Sequence, residues 1–311
     1  ENSKFAGGHC GWLDQLLIVC SKAAMLTKID YADNSVQHFE SRLPAHVEFV
    51  ALNTNVPHVL AESDYTHRVR ELILGIKHLS KELKRNAGGP NLTMGTINAL
   101  LATLDPAEPS NAPIDVAELH LASADVTRER AEPLGAETLK RIKKSVEEHF
   151  EPPSDLPMHK GKTAVQSFAV IVRRMRHQKM SSLLVPLAGQ AVARGDVDAF
   201  GRLLDLEGRS LRMSGDFMIT GDNGAQDALL DCAFSAGAGL GLRVHGRMLG
   251  GGGGGNVLLL VDKSDAPKRQ QWEERAKASY RAWAESKFPG QGIEATAIVP
   301  AISSGARLVS A

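Results

Sequence analysis

The sequence predicts an α+β chain, and three features carry the prediction. Short β-rich stretches at Met25–Tyr31, Val36–Phe39, His46–Leu52, Val257–Val261 and Ala295–Val299 are scattered among long helical patterns. They do not alternate with helices in regular strand–helix–strand units, which argues against a purely parallel sheet. At 311 residues the chain is long enough for one large domain or two ordinary ones.

The elements follow in order. Residues 13–24 read as a helix entered from the glycine turn Gly7-Gly8-His9-Cys10-Gly11. Two short strands flank the polar turn Ala32–Ser35, and His46–Leu52 reads as a central strand ending at Asn53-Thr54-Asn55. A helix starts near Ser63 or Asp64, with Val69, Leu72, Ile73, Ile76 and Leu79 predicted on its apolar face and a basic outer face. Residues 85–115 are rich in Gly and Pro and read as loops around one helical piece, Met94–Leu104. Helical patterns return at 116–122 and 136–150, and the prolines from Pro152 to Pro157 break the chain. Thr163–Ala193 and Val197–Arg212 read as helices joined at Arg194-Gly195-Asp196, with Asp196 as cap. Gly224–Gly237 is a further helix. Leu240–Leu249, the run Gly250–Gly255 and Val257–Val261 form a strand–loop–strand or helix–loop–strand unit. Gln270–Lys287 is a polar helix carrying Trp272 and Trp283, and Ala295–Val299 closes the sheet.

Composition excludes several classes. Lys plus Arg and Asp plus Glu both number 36, so no basic field points to nucleic acid or an anionic membrane. The three cysteines, Cys10, Cys20 and Cys232, lack paired metal spacing, and their odd number argues against a disulfide framework. No apolar run approaches membrane-spanning length and no basic-then-apolar leader is seen, so the chain reads as cytoplasmic with no membrane partner. It opens at Glu1 and enters a glycine turn and an apolar helix almost at once, which leads us to expect a further segment upstream.

Three stretches carry candidate chemistry. Asp14 falls in the first turn of the first helix, where the helix dipole favours a carboxylate. It is either a capping acid or a group placed to take a proton from a ligand on the turn. Six successive glycines, Gly250–Gly255, either form a flexible linker or let bare backbone approach a ligand; the buried-looking strand directly after them favours the second. Asn53–His58 ends a strand, and Tyr65 follows in the next helix; these are turn and capping residues or polar groups of a cleft. Gly161-Lys162-Thr163 ends like a phosphate loop, but Leu156 stands where that motif needs glycine. Arg173–His177 lacks interleaved aromatics and reads as a solvated or ion-paired helix face.

In sequence order these segments resemble galactokinase, within the superfamily of homoserine, mevalonate and phosphomevalonate kinases. Cys10-Gly11-Trp12-Leu13-Asp14-Gln15 is similar to its Cys-Gly-x-x-Asp-Gln turn, and Leu52–His58 with Ser63-Asp64-Tyr65 and Arg68-Val69-Arg70 to its next block. Arg174–His177 resembles an Arg-x-Arg-His helix start. Gly195–Leu204 with Ser210–Arg212 resembles the following helix, and Arg247–Gly255 the closing glycine motif. The resemblance implies a two-domain sugar-kinase-like fold with a truncated N-terminal domain, residues 1–45 being its remnant and 46–311 the C-terminal domain. It implies ATP-dependent phosphorylation of a sugar's anomeric hydroxyl, with Mg2+. Asp14 would accept or steer the hydroxyl proton, Cys10 and Gly11 would line the sugar, Tyr65 would hydrogen-bond it, and Gly250, Gly251 and Gly252 would close the site.

The departures are specific. The family's sugar-binding acids, its arginine beside the catalytic aspartate and its serine-rich phosphate loop have no counterpart and would lie upstream of Glu1 or on a partner chain. Gly253 stands where a larger residue is usual, Pro57 replaces a basic residue, Ser214–Phe217 departs from an acidic-tyrosine pattern, and residues 85–160 exceed the family norm. Two other functions compete: a non-catalytic sugar-binding regulator or scaffold with a kinase-like fold, and a protein-interaction role for 85–160. Galactose leads among substrates, with arabinose and galacturonate open. An edge left by missing strands would make the isolated chain poorly soluble.

Overall fold

Strand β3 (Val47–Asn53) has alternating residues buried, Val50 and Leu52, so one of its faces packs on the core, and pairing along both of its edges places it inside a sheet. The computed structural model describes residues 13–23, 25–30, 35–57, 65–83, 92–119, 123–131, 134–212, 224–250 and 254–300. The chain divides into two compact units. One comprises Glu1–Ser63, Leu184–Gly208 and Asp222–Ala311; the other comprises Asp64–Leu183 and Arg209–Gly221.

The first unit opens with α1 (Leu13–Cys20), then β1 (Met25–Asp30) and β2 (Ser35–Glu40), paired antiparallel with Ile29 opposite Val36. Helix α1 stops at Cys20, short of the predicted residue 24, because the chain must extend into β1 at Met25. A second sheet has the order β4-β5-β3-β6, from β4 (Val244–Met248), β5 (Asn256–Asp262), β3 and β6 (Thr296–Ile298), every pair antiparallel. Helices α8 (Ala225–Ala238) and α9 (Ala266–Lys287) cover one face, burying Leu229, Leu230, Ala233, Trp272, Ala276 and Tyr280 against Val50, Leu52, Val257 and Leu259.

Helix α9 shows why a polar sequence folds there. Its buried residues, Trp272, Ala276, Tyr280 and Ala284, repeat every fourth position and form one narrow stripe. Asp265 caps it by accepting from the Lys268 N–H at 3.0 Å, with Pro267 in the first turn, so the helix starts at Ala266 rather than at the predicted Gln270. The opposite face of the sheet meets α7 (Val197–Leu211), where Phe200 packs edge-on against Phe49 at 6.0 Å. Asp196 caps α7, accepting from the Ala199 N–H at 2.9 Å after Gly195 turns the chain at φ 71°.

The second unit is helical: α2 (Tyr65–Glu82), α3 (Met94–Leu104), α4 (Ser123–Arg130), α5 (Ala136–His149) and the first part of α6 (Ala164–Arg194). Leu79, Ile97, Leu100, Leu101, Ile142, Val146 and Phe168 form its core. Residues 85–115 read as loops around one helical piece, and from Leu92 onward they supply Leu92, Ile97, Leu100, Leu101 and Leu104 to this core; 3-10 turns at Pro109–Asn111 and Val116–Leu119 follow. The Gly161-Lys162-Thr163 stretch opens α6, with Thr163 and Gln166 each accepting from the other's backbone N–H in a reciprocal cap.

The predicted apolar face of α2 is corrected. Ile73 and Ile76 are 47% and 39% exposed, whereas Arg68, Glu71, Gly75 and Leu79 are buried. Hydrophobic periodicity missed this face because two of its members are charged. At Gly95 in α3, an added Cβ would stand 2.3 Å from the Arg130 carbonyl oxygen and 2.7 Å from that of Ala131. Backbone cannot yield there, so Gly95→Ala is expected to cost about 1–3 kcal/mol. A denaturant midpoint unchanged from wild type would contradict this. Among the described residues no helix is long and apolar enough to cross a membrane.

Candidate functional site

Two stretches singled out in the sequence, Asn53–Asn55 and the glycine run, meet at one end of the four-stranded sheet. The β3–β5 register pairs Asn53 with Asn256, so the chain leaving β3 runs beside the end of the glycine loop. Thr54, fully buried, donates its N–H to the Gly255 carbonyl at 2.9 Å, and its Oγ1 accepts from the Gly255 N–H at 3.1 Å. The Thr54 carbonyl accepts from the Tyr280 hydroxyl at 3.1 Å. Burial pushes the Tyr280 phenol up to about 12, so it stays a neutral donor. Asn55 adopts φ 53°, and its side chain donates to the Glu294 carbonyl at 2.7 Å, turning the chain out of the sheet.

The other side of the loop is held from α8. The Gln226 Nε2 donates to the Leu249 carbonyl at 3.0 Å and to the Asn256 carbonyl at 2.6 Å, while the Leu249 N–H donates to Asn256 at 2.9 Å. Gly250, Gly254 and Gly255 take φ 74°, 132° and 91°, which side-chain-bearing residues rarely adopt. The loop joins two strands, so the strand–loop–strand alternative is the one realised, and its ends are hydrogen-bonded as a linker's would not be.

The other predicted site residues lie at the limits of the described chain. Asp14 is in the first turn of α1, as the sequence predicts, and Tyr65 is the first residue of α2; both side chains fall outside the described residues. Cys10, Gly11, Gly251 and Gly252 also lie outside them. Gln226 and Tyr280 were missed by sequence reasoning. Gln226 had a signal: it shares the buried α8 stripe with Leu229, Leu230, Ala233 and Gly237, the one amide among apolar residues.

A second polar cluster lies within the helical unit. Glu71, Arg68, Arg174, His159 and Ser167 are each at most 1% exposed. Glu71 accepts from Arg68, from Arg174 Nε at 3.0 Å and from His159 Nε2 at 3.0 Å, and the other ring nitrogen of His159 is 2.6 Å from the Ser167 hydroxyl. His159 thus bridges the Glu71 carboxylate and the Ser167 hydroxyl through its two ring nitrogens. The order carboxylate–imidazole–hydroxyl resembles a nucleophile relay, but no substrate reaches a fully buried serine, and two guanidinium groups share the carboxylate. It is an ion-paired core. The basic stretch Arg173–His177 is accordingly buried rather than solvated.

Among solved structures, the crystal structure of Lactococcus lactis galactokinase complexed with galactose matches 98% of this chain, with a TM-score of 0.60 at 20% sequence identity. The fold is galactokinase-like. The chain spans 57% of the length of that enzyme. No family profile and no curated protein matches it. Within the galactokinase-like fold, the meeting of Asn53–Asn55 with the glycine loop joins two blocks far apart in the chain.

Proposed function

We propose that the chain carries the carboxylate and glycine loop of an ATP-dependent sugar kinase acting on the anomeric hydroxyl of galactose or a related sugar. The observation that supports this most is the double hydrogen bond between Thr54 and Gly255 in a galactokinase-like fold. It brings two blocks of the sequence resemblance to one end of one sheet.

In this reading the Asp14 carboxylate accepts or steers the hydroxyl proton. The sugar oxygen forms its bond to the γ-phosphorus of ATP as the bond to ADP breaks. Cys10 and Gly11 line the sugar, Tyr65 hydrogen-bonds it, and Gly250, Gly251 and Gly252 cover it with bare backbone. Phosphoryl transfer depends on such positioning more than on covalent help. The reading also implies Mg2+. Among the described residues there is no group of three or more His, Cys, Asp or Glu side chains that could hold a metal ion.

The test is titration calorimetry of the chain with galactose, followed by an assay of phosphate transfer from ATP. The chain alone is expected to transfer no phosphate. Joined to an upstream half that carries a phosphate loop, it is expected to phosphorylate galactose. Galactose binding without transfer in the joined protein would favour the regulator reading, and no galactose binding by the joined protein would overturn both.

A further inference from the structure

The glycine loop raises a question that its sequence does not answer. Six glycines have more backbone freedom than any other hexapeptide, so what holds the ends of the run must come from outside it. The hairpin's own ladder supplies one tie at its base, Leu249 N–H to the Asn256 carbonyl at 2.9 Å. Thr54 supplies a second, at Gly255. Gln226 supplies the third, and it differs in kind. A single NH2 group reaches the carbonyl before the loop, Leu249, and the carbonyl after it, Asn256. It therefore spans the loop's mouth.

The placement of Gln226 is costly. It is fully buried and, among the described residues, its Oε1 has no hydrogen-bond partner. A buried amide with an unpaired acceptor lowers stability relative to an apolar residue of the same shape. The two donated bonds account for its presence. They require an uncharged double donor: both partners are carbonyl oxygens, so a carboxylate would be repelled and an apolar side chain would leave the mouth untied. Gly224, at φ 73° with no side-chain cap, turns the chain so that the first turn of α8 meets the hairpin.

We infer that Gln226 is a positioning residue for the glycine hairpin, holding the strand ends that flank the run, Leu249 and Asn256, at one spacing, on which ligand binding at the hairpin depends. The ligand part of this inference rests on the sugar-kinase reading. The loop part does not.

The test compares hydrogen exchange of the full chain in wild type, Gln226→Met, Gln226→Glu and Thr54→Val. In Gln226→Met, protection of the Leu249 and Gly255 amides is expected to fall by about tenfold, as for one lost buried hydrogen bond. The α9 amides from Trp272 to Ala284 should keep wild-type protection. Thr54→Val should reproduce the effect at Gly255 and spare Leu249. Gln226→Glu should behave like Gln226→Met at pH 8 and regain part of its protection, relative to wild type, as the pH falls. The protonated carboxyl donates one bond, whereas glutamine does not titrate, so this signature distinguishes a donor from a space-filling residue. Galactose affinity should weaken by about fivefold or more in Gln226→Met, roughly one kcal/mol.

Wild-type protection at Leu249 and Gly255 in Gln226→Met would overturn the inference. So would equal loss across α9, which would make Gln226 a general core residue. If the wild-type chain joined to an upstream half binds no galactose, the kinase reading fails and the exchange result still decides the role of Gln226.

Discussion

Glu71→Ala is expected to lower the stability of the helical unit by about 3–5 kcal/mol, the usual effect of breaking a buried ion pair from one side. Glu71 is fully buried and is the carboxylate that Arg68, Arg174 and His159 share. Without it, two buried guanidinium groups lose their common counter-charge. Burial pulls the Arg174 guanidinium down to about 10, with Arg68 adding repulsion, so it remains charged at neutral pH. Glu71→Gln keeps the shape and should cost less, since one acceptor oxygen survives.

Acid gives an independent check. Burial by itself raises the Glu71 carboxyl, but the His159 bond and the two guanidinium groups outweigh it and hold it at about 2. The unfolded value is about 4.3, so the folded carboxyl binds its proton less readily. Its contribution, on the order of 3 kcal/mol, is complete above about pH 5 and is lost as the pH falls through about 2. Denaturant unfolding between pH 5 and pH 2 should show this loss in wild type and lack it in Glu71→Gln. Parallel curves for the two proteins would contradict the assignment.

Asp14→Asn is expected to reduce kcat of the joined kinase by about 10²–10⁴-fold, the range for losing a positioned general base. Helix α1 begins at Leu13, so position 14 lies in its first turn, where the helix dipole favours a carboxylate. Asparagine preserves the size and a hydrogen bond to the sugar, so galactose affinity should change little. A fall in kcat with a steady KM separates a role in the transition state from a role in binding. Full turnover in the variant would remove Asp14 from the chemistry.

Much of the fold was legible because local signals agreed with tertiary ones. Asp196 and its preceding glycine announced α7, and the helices at Met94–Leu104 and 136–149 appeared where apolar spacing put them. The errors have physical causes. Helix α2 buries charge on its packed side, so its exposed Ile73 and Ile76 pointed the periodicity the wrong way. The loop-rich reading of 85–115 counted its turn residues around the Met94–Leu104 helix, and the burial of Leu92 just before that helix shows only through its tertiary partners. At the candidate site, the glycine run and Asn53–Asn55 were visible singly, but their contact depends on β3–β5 register, which a sequence does not state. Gln226 was hidden for a related reason: its partners are backbone carbonyls, which have no sequence identity.

The central claim is that Asp14 and the glycine loop enclose one sugar hydroxyl. A crystal structure of the chain with bound galactose tests it most directly. The account predicts the anomeric oxygen about 3 Å from the Asp14 carboxylate, with the sugar ring against Gly250–Gly252. Galactose bound away from both, or an Asp14 carboxylate turned from the sugar, would contradict it.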